Sequence, residues 1–344
     1  VNAVNGVINI ITKKTKDTHG GLLTGGGGSE EHGFSALRYG GKAGENLDYR
    51  VYGKGFNRDK QFAGDIDPYD AWWGSKGGGR VDWQAKEKDA LTFQGDYLHS
   101  DAGRHDTRPI RTAPFTFDNR EDEVTNAGNF LGRWTHTVDQ DSNWQLQMYW
   151  DRFNRYTGND NGSVWWNTYD VDFQHQFPLG GWNKMIWGLG YRVVDAHMGS
   201  STRDDGFILF WTPNDSNPQL FSTFLQDEIA LVPDKLSLTL GSKIEYNDFT
   251  GFEVQPTARL LWTPTQRQSV WAAVSRAVRT PNLGDDAGTS TFLQSRAGVG
   301  AFPQSINNPD LKSEVLLAYE LGYRTQVTDR FSLDTAVFYN AYDR

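Results

Sequence analysis

Apolar and polar positions alternate along most of this chain with a period of two. From Trp165 to Phe177 one set is mainly oily: Trp165, Asn167, Tyr169, Val171, Phe173, His175 and Phe177. The interleaved set is mainly polar: Trp166, Thr168, Asp170, Asp172, Gln174 and Gln176. Successive side chains of an extended strand point to opposite faces, so this segment is a strand with one apolar and one polar side. The same beat sets Trp144, Leu146, Met148 and Trp150 against Gln145, Gln147, Tyr149 and Asp151. It returns around Leu236–Tyr246 and Phe331–Tyr339. No long segment repeats near 3.6 residues, as a helix would.

Reading each run as a strand gives about 15 strands. Their connections sort by length. Short links rich in turn residues lie at 84–89, 139–143, 178–183, 233–235, 264–268 and 328–330. Long links lie between them at 57–76, 99–122, 154–163, 197–217 and 279–311, with one short exception at 248–251. Short turns at one end and long loops at the other are the arrangement of outer-membrane barrels. A soluble sandwich has no reason to sort its loops this way, and a propeller would need a fixed repeat. The fold class expected is all-β, a transmembrane antiparallel β-barrel. Single-chain bacterial barrels close with an even number of strands, because an open edge in lipid leaves backbone groups unsatisfied. About 15 strands therefore read as an incomplete barrel, and the protein is expected to continue past residue 344.

Composition sharpens this. The chain of 344 residues carries 13 Trp, 14 Tyr, 20 Phe and 37 Gly. Its mean hydropathy of -0.63 suits a barrel, in which only every second residue meets lipid. No apolar stretch of about 18 residues is present, which argues against helical spans. The absence of Cys excludes disulfides and thiolate metal sites. A net charge of -9 argues against a nucleic-acid partner, since phosphate binding needs a basic face.

Several motifs carry a family resemblance. VNAVNGVINIITKK (Val1 to Lys14) is similar to the last plug segment of TonB-dependent receptors. RYGG (Arg38 to Gly41) resembles an early barrel strand of that family, and FLQDEIAL (Phe224 to Leu231) a mid-barrel one. AAVSRAVRTPNL (Ala272 to Leu283) resembles a late strand entering a long outer loop. NPDLKSE (Asn308 to Glu314) and AYELGYR (Ala318 to Arg324) resemble the strand after it, with Ser313 where the family usually has Pro. The resemblance implies residues 1–14 as the plug remnant and 15–344 as barrel wall. It also implies about 15 strands of a 22-stranded plugged barrel, lacking most of the plug, the TonB box and about seven last strands. The function it implies is TonB-dependent import across the bacterial outer membrane. The cargo it favours is a ferric siderophore, by likeness to the ferric catecholate and colicin I receptor group. Cobalamin, heme or an oligosaccharide are the alternatives. The implied partners are that ligand, the TonB complex, and outer-membrane lipid and lipopolysaccharide; no cofactor is implied.

Candidate contacts can be weighed on their chemistry. The link HSDAGRHDTRPIRT (His99 to Thr112) offers Arg104, His105, Arg108 and Arg111 to an anionic ferric complex, since Arg recognises oxyanions. The plainer reading is a solvated loop held by lipopolysaccharide phosphates. Trp165 and Trp166, like Trp72, Trp73 and Trp211, either stack on substrate or form the interfacial aromatic girdle. Adjacent pairs must point opposite ways, so one of each pair can face inward. If Val270, Ala272, Val274 and Val278 face lipid, Arg279 faces the lumen and Arg276 snorkels outward. Gly25 to Gly28 lacks a following GK[ST] and is read as small residues beside the plug, not a phosphate loop. No His falls between Arg279 and Leu311, which counts against heme. A rim enzyme would need a compact Ser/His or Asp/His cluster, for which only 99–106 is dense enough; a passive pore conflicts with the plug-like start. No catalytic or metal-ligating residue is expected.

Overall fold

The computed structural model describes residues 11–64, 67–109, 113–157, 163–199, 201–202, 207–211, 213–292, 302–305, 308 and 310–343. A 3-10 turn at Thr15–Thr18 leads into β1 (Gly20–Gly26), β2 (Gly33–Ala43), β3 (Leu47–Arg58), β4 (Trp72–Lys86) and β5 (Asp89–Pro109). There follow β6 (Thr116–Thr137), β7 (Asn143–Thr157), β8 (Val164–Leu179), β9 (Asn183–Met198), β10 (Ser201–Thr202), β11 (Phe207–Trp211) and β12 (Asp215–Ser216). Next come β13 (Gln219–Val232), β14 (Leu236–Asn247), β15 (Gly251–Thr265) and β16 (Gln268–Arg279). A short helix α1 (Leu283–Ala287), β17 (Gly288–Phe292), β18 (Phe302–Ser305), β19 (Glu314–Thr328) and β20 (Phe331–Asp343) complete the chain.

Fifteen strands make one meander: β1 to β9, β13 to β16, β19 and β20 pair in that order, and β12 adds to β9. Each neighbouring pair is antiparallel. The fifteen expected from alternation are thus present, as one sheet that does not close on itself within this chain. The short links at 87–88, 138–142, 180–182, 233–235, 266–267 and 329–330 gather at one end, called inner here. Register shifts beside four of these turns let the strands end without fraying the ladder. Gly44 and Gly180 take positive φ in inner turns, where a side chain would be strained.

Burial decides between a membrane wall and a dry sandwich. Among the described residues only Ala196, Val278, Leu316 and Ala318 are buried hydrophobics. The apolar phase instead lies open: Met148, Tyr169, Val171, Leu189, Tyr191, Leu225, Leu240 and Val337 are all exposed. A water-soluble sheet would hide that face; a sheet in lipid presents it.

Three expectations need correction. The stretch 99–122 is mostly strand, for β5 and β6 stay paired from Asp89↔His136 out to Pro109↔Thr116. These strands have 21 and 22 residues, whereas crossing the bilayer takes about 9–11, so the hairpin projects well beyond it. Outside lipid neither face must be apolar, so alternation lapses while the backbone ladder continues. Val278 is fully buried rather than lipid-facing, and Arg276 does not snorkel: it donates to the Val254 carbonyl at 2.5 Å and lies 3.5 Å from Glu253. Arg276 can reach β15 because the β15–β16 pairing stops at Thr257↔Ser275. The glycine run, by contrast, keeps its reading as small residues and not a phosphate loop: it ends β1 and opens its turn, where a Cβ on Gly27 would sit 2.8 Å from the His32 carbonyl. The long links 199–218 and 280–313 also hold structure: β10, β11, β17 and β18 form a second sheet joining the two.

Candidate functional site

Cross-strand register fixes which side chains share the polar, inward face. Asp170 of β8 lies opposite Tyr149 of β7 and Arg192 of β9. Arg192 Nε donates to Asp170 Oδ2 at 2.9 Å, and its guanidinium stands 6.0 Å from the Tyr149 ring centre. Arg192 borders two hollows. One, of about 470 Å³, is lined also by Gln94, Asn129, Asp151 and Thr168. The other, of about 290 Å³, is lined also by Gln219, Glu245, Asn247 and Asn282. Glu245 is buried and accepts from Lys243 Nζ at 2.5 Å and Gln255 Nε2 at 2.7 Å.

Nearer the outer end the inward face becomes aromatic and cationic. The Arg58 guanidinium lies 4.8 Å from the Phe56 ring centre and 4.7 Å from that of Trp72, while its Nε donates to Glu31 at 3.2 Å. Phe56 and Trp72 meet edge to face at 4.5 Å. Phe153 and Trp166 stack at 4.3 Å. Arg104 and Arg155 flank Glu123 at 3.7 and 4.0 Å. Aromatic faces beside arginines suit a flat, electron-rich anion, which the guanidinium can pair with and the ring can stack on.

The structure separates the candidates. Each tryptophan pair splits as geometry requires: Trp72 and Trp166 turn inward, Trp73 and Trp165 outward, where they pack on His99 (5.1 Å) and His197 (5.7 Å). Trp211 sits in the second sheet. Arg104 stands on the inward side of the projecting hairpin. His105 points the other way and bonds Asp118 across the hairpin. Arg108 lies in β5 by its backbone; its side chain, and Arg111 entirely, fall outside the described residues. Arg279 faces inward and lies 3.3 Å from Glu314, its register partner. Sequence reading missed Arg58, Phe56, Tyr149 and Arg192. Their signal was available: an arginine or aromatic in the polar phase of a strand.

The link 59–71 is tied within itself by Lys60–Asp67 (3.1 Å) and held against the projecting hairpin by Arg120–Asp67 (3.7 Å) and the Tyr69 hydroxyl on Asp122 (3.1 Å). The hydrogen bond from Lys60 leads in holding the Asp67 carboxyl below the usual carboxylate range. The bond to Asp122 leads in raising the Tyr69 phenol.

At the inner end a short segment docks on the same inward face. The Asp82 carboxylate accepts from the Thr15 N–H (3.0 Å), the Thr15 hydroxyl (2.7 Å), the Thr92 hydroxyl (2.7 Å) and Arg80 (2.9 Å). Arg80 also reaches the Thr12 hydroxyl at 3.1 Å, and Arg50 the Lys13 carbonyl at 3.0 Å. His19 bonds Asp48 at 2.7 Å. Thr15 is fully buried, and Gly40 admits the segment, since a Cβ there would lie 2.3 Å from the Thr18 carbonyl. Thr12 and Lys13 of the plug-like motif are therefore tied to the wall; 1–10 lie outside the described residues.

An oily outer face, a polar inner face and links sorted by length define the wall of a transmembrane β-barrel of the outer membrane. The chain belongs to the TonB dependent receptor-like, beta-barrel family, whose model matches residues 28–344. Over 112 residues it is 33% identical to a ferric enterobactin receptor of Pseudomonas aeruginosa, a match spanning 31% of this chain and 15% of the relative. A crystal structure of that organism's ferric enterobactin receptor PfeA, an R480A/Q482A mutant, superposes with a TM-score of 0.72 at 19% identity, covering 99% of this chain and 55% of that one. The siderophore receptor PirA of Acinetobacter baumannii gives 0.71 at 14%, covering 94% and 52%. The chain thus spans about half the length of these solved receptors.

Proposed function

We propose that this chain is the larger part of the wall of an importer that takes up a ferric siderophore, driven by the TonB complex. The observation that carries this is the inward face: aromatic–arginine clusters toward the outer end, a polar wall around Arg192 below them, and a docked segment at the inner end. Similarity to receptors named for ferric enterobactin and other siderophores supports a catecholate-type cargo. Residues 1–14 are read as the end of a plug and the remainder as barrel. We read the chain as a receptor without catalytic activity of its own.

Energy coupling follows from affinity. Scavenging a scarce solute needs binding near nanomolar, about -12 kcal/mol. With an ordinary on-rate of roughly 10⁶ per molar per second, spontaneous escape takes on the order of a thousand seconds. A wide unplugged barrel would leak, so a plug displaced by external work answers both problems.

The test is growth of a deletion strain on iron-chelated medium supplied with single siderophores and complemented by the full receptor. Rescue by one siderophore, lost when TonB is absent, is expected; rescue independent of TonB would defeat the proposal. Within the site, Arg58→Ala and Trp166→Ala should each weaken ligand binding roughly tenfold, about 1.4 kcal/mol. Reversing Arg104, Arg108 and Arg111 together should also lower affinity. An unchanged affinity would remove the projecting hairpin from the site.

A further inference from the structure

The outward face carries one feature that transport does not use. Gly132 of β6, lying between Phe93 of β5 and Met148 of β7, leaves a hollow in the lipid-facing surface. This groove, of about 510 Å³, is walled by Phe93, Phe130, Trp134, Met148, Trp150 and Val171. Toward the outer end of the same phase, two residues past Trp150, stands Arg152. It is exposed, donates to Asn167 Oδ1 at 3.2 Å and lies 5.8 Å from the Trp165 ring centre. Trp150 Nε1 donates to the same Asn167 oxygen at 3.3 Å, so Asn167 fixes both groups. Among the described residues Arg152 has no carboxylate partner. Arg276, in the same phase of its own strand, is by contrast tied to Glu253 and a backbone carbonyl.

An unneutralised guanidinium at a hydrocarbon boundary is costly unless an anion meets it there. Ordinary acyl chains would fill the groove without any need for Arg152. The two together describe one amphiphile, a chain below and an anion above. We propose that the groove and Arg152 form a specific site for a phosphorylated acyl lipid of the outer leaflet, its phosphate on Arg152 and an acyl chain over Gly132. The proposal rests on the barrel fold and is independent of the cargo.

The test is native mass spectrometry of the full receptor in detergent, titrated with dioleoyl phosphatidic acid, dioleoyl phosphatidylcholine or inorganic phosphate. One phosphatidic acid should bind at least roughly tenfold tighter than phosphatidylcholine, and excess inorganic phosphate should not displace it. Arg152→Gln should abolish that preference. Gly132→Leu, which fills the groove while leaving the cation, should weaken phosphatidic acid roughly tenfold. Arg155→Gln, inward-facing on the same strand, should change neither; heat-modifiable gel mobility reports whether each variant is folded. Equal binding of the two lipids, or retained preference in folded Arg152→Gln, means annular lipid only and overturns the proposal. Displacement by inorganic phosphate at equal concentration means a free-anion site and overturns it as well.

Discussion

The two ends of this wall solve opposite problems. At the inner end turns are short, and a single carboxylate, Asp82, gathers donors from Thr15, Thr92 and Arg80 within 3.0 Å. At the outer end hairpins rise beyond lipid and are joined by ion pairs between largely exposed groups, such as Arg120–Asp67 at 3.7 Å. Charge-assisted bonds converging on a partly buried acceptor are strong and geometrically exact, whereas exposed pairs are weak and replaceable. The inner end thus holds its chain segment firmly, while the contacts of the outer end can rearrange at little cost.

The contrast breaks most visibly at Asp82. Asp82→Ala strands the Thr15 N–H and hydroxyl and removes the main partner of Arg80. Because the carboxylate is still about a quarter exposed, the expected loss is about 2–3 kcal/mol rather than that of a fully buried pair. Thermal loss of heat-modifiable mobility should shift downward, and residues 12–19 should become cleavable by protease. A protected segment in that variant would show that the anchor lies elsewhere. Next in size is Gly40→Val. Its side chain would collide with the Thr18 carbonyl, at a cost of about 1–3 kcal/mol. Cleavage at 12–19 should rise while the barrel melts nearly as before. A lowered melting point with an intact segment would place the strain in β2 instead.

How much of this was legible beforehand depends on whether lipid imposed a pattern. Met148 and Tyr149 alternate because one meets hydrocarbon and the other the lumen, so strand number, parity and the inner turns could all be read. Beyond the bilayer that constraint ends, and Ser100 to Asp106 reads as a loop although its backbone is fully paired. Val278 and Arg276 misled for another reason: the β15–β16 ladder parts above Thr257, and parity does not say where a ladder stops. Arg58 and Arg192 were visible as residues, but their weight comes from neighbours on other strands, and register between distant segments is not written in either one alone. Asp82 is the extreme case, since its donors include Thr15, which lies 67 positions away.

A smaller effect sharpens the outer side of the comparison. Arg104→Ala deletes a 3.7 Å pair with Glu123, in which the arginine is nearly half exposed. A cost of about 0.2–1 kcal/mol is expected, falling further at high salt. A double-mutant cycle with Glu123→Ala measures it. A coupling above about 2 kcal/mol would put this hairpin in the same class as the Asp82 anchor.

The least costly break is pH, and its direction is fixed. Asp67 has its carboxyl depressed in the folded state, first by the Lys60 hydrogen bond and then by the Tyr69 N–H. A depressed acid contributes its full stabilisation above its unfolded pKa, about 3.9, and loses it as pH falls through the folded value. Tyr69 works in the opposite sense. Its raised phenol stabilises fully below the unfolded value near 10 and loses that as pH climbs through the folded one. The link 59–71 should therefore stay docked across the neutral range and loosen at both extremes, while the barrel ladder remains intact. Amide exchange in 67–71, corrected for the intrinsic pH dependence of exchange, should show protection falling below about pH 4. Asp67→Asn should remove most of the acid-side loss, because the amide does not titrate there. If protection stayed flat from neutral pH to well below the carboxylate range, packing rather than charge would hold this link.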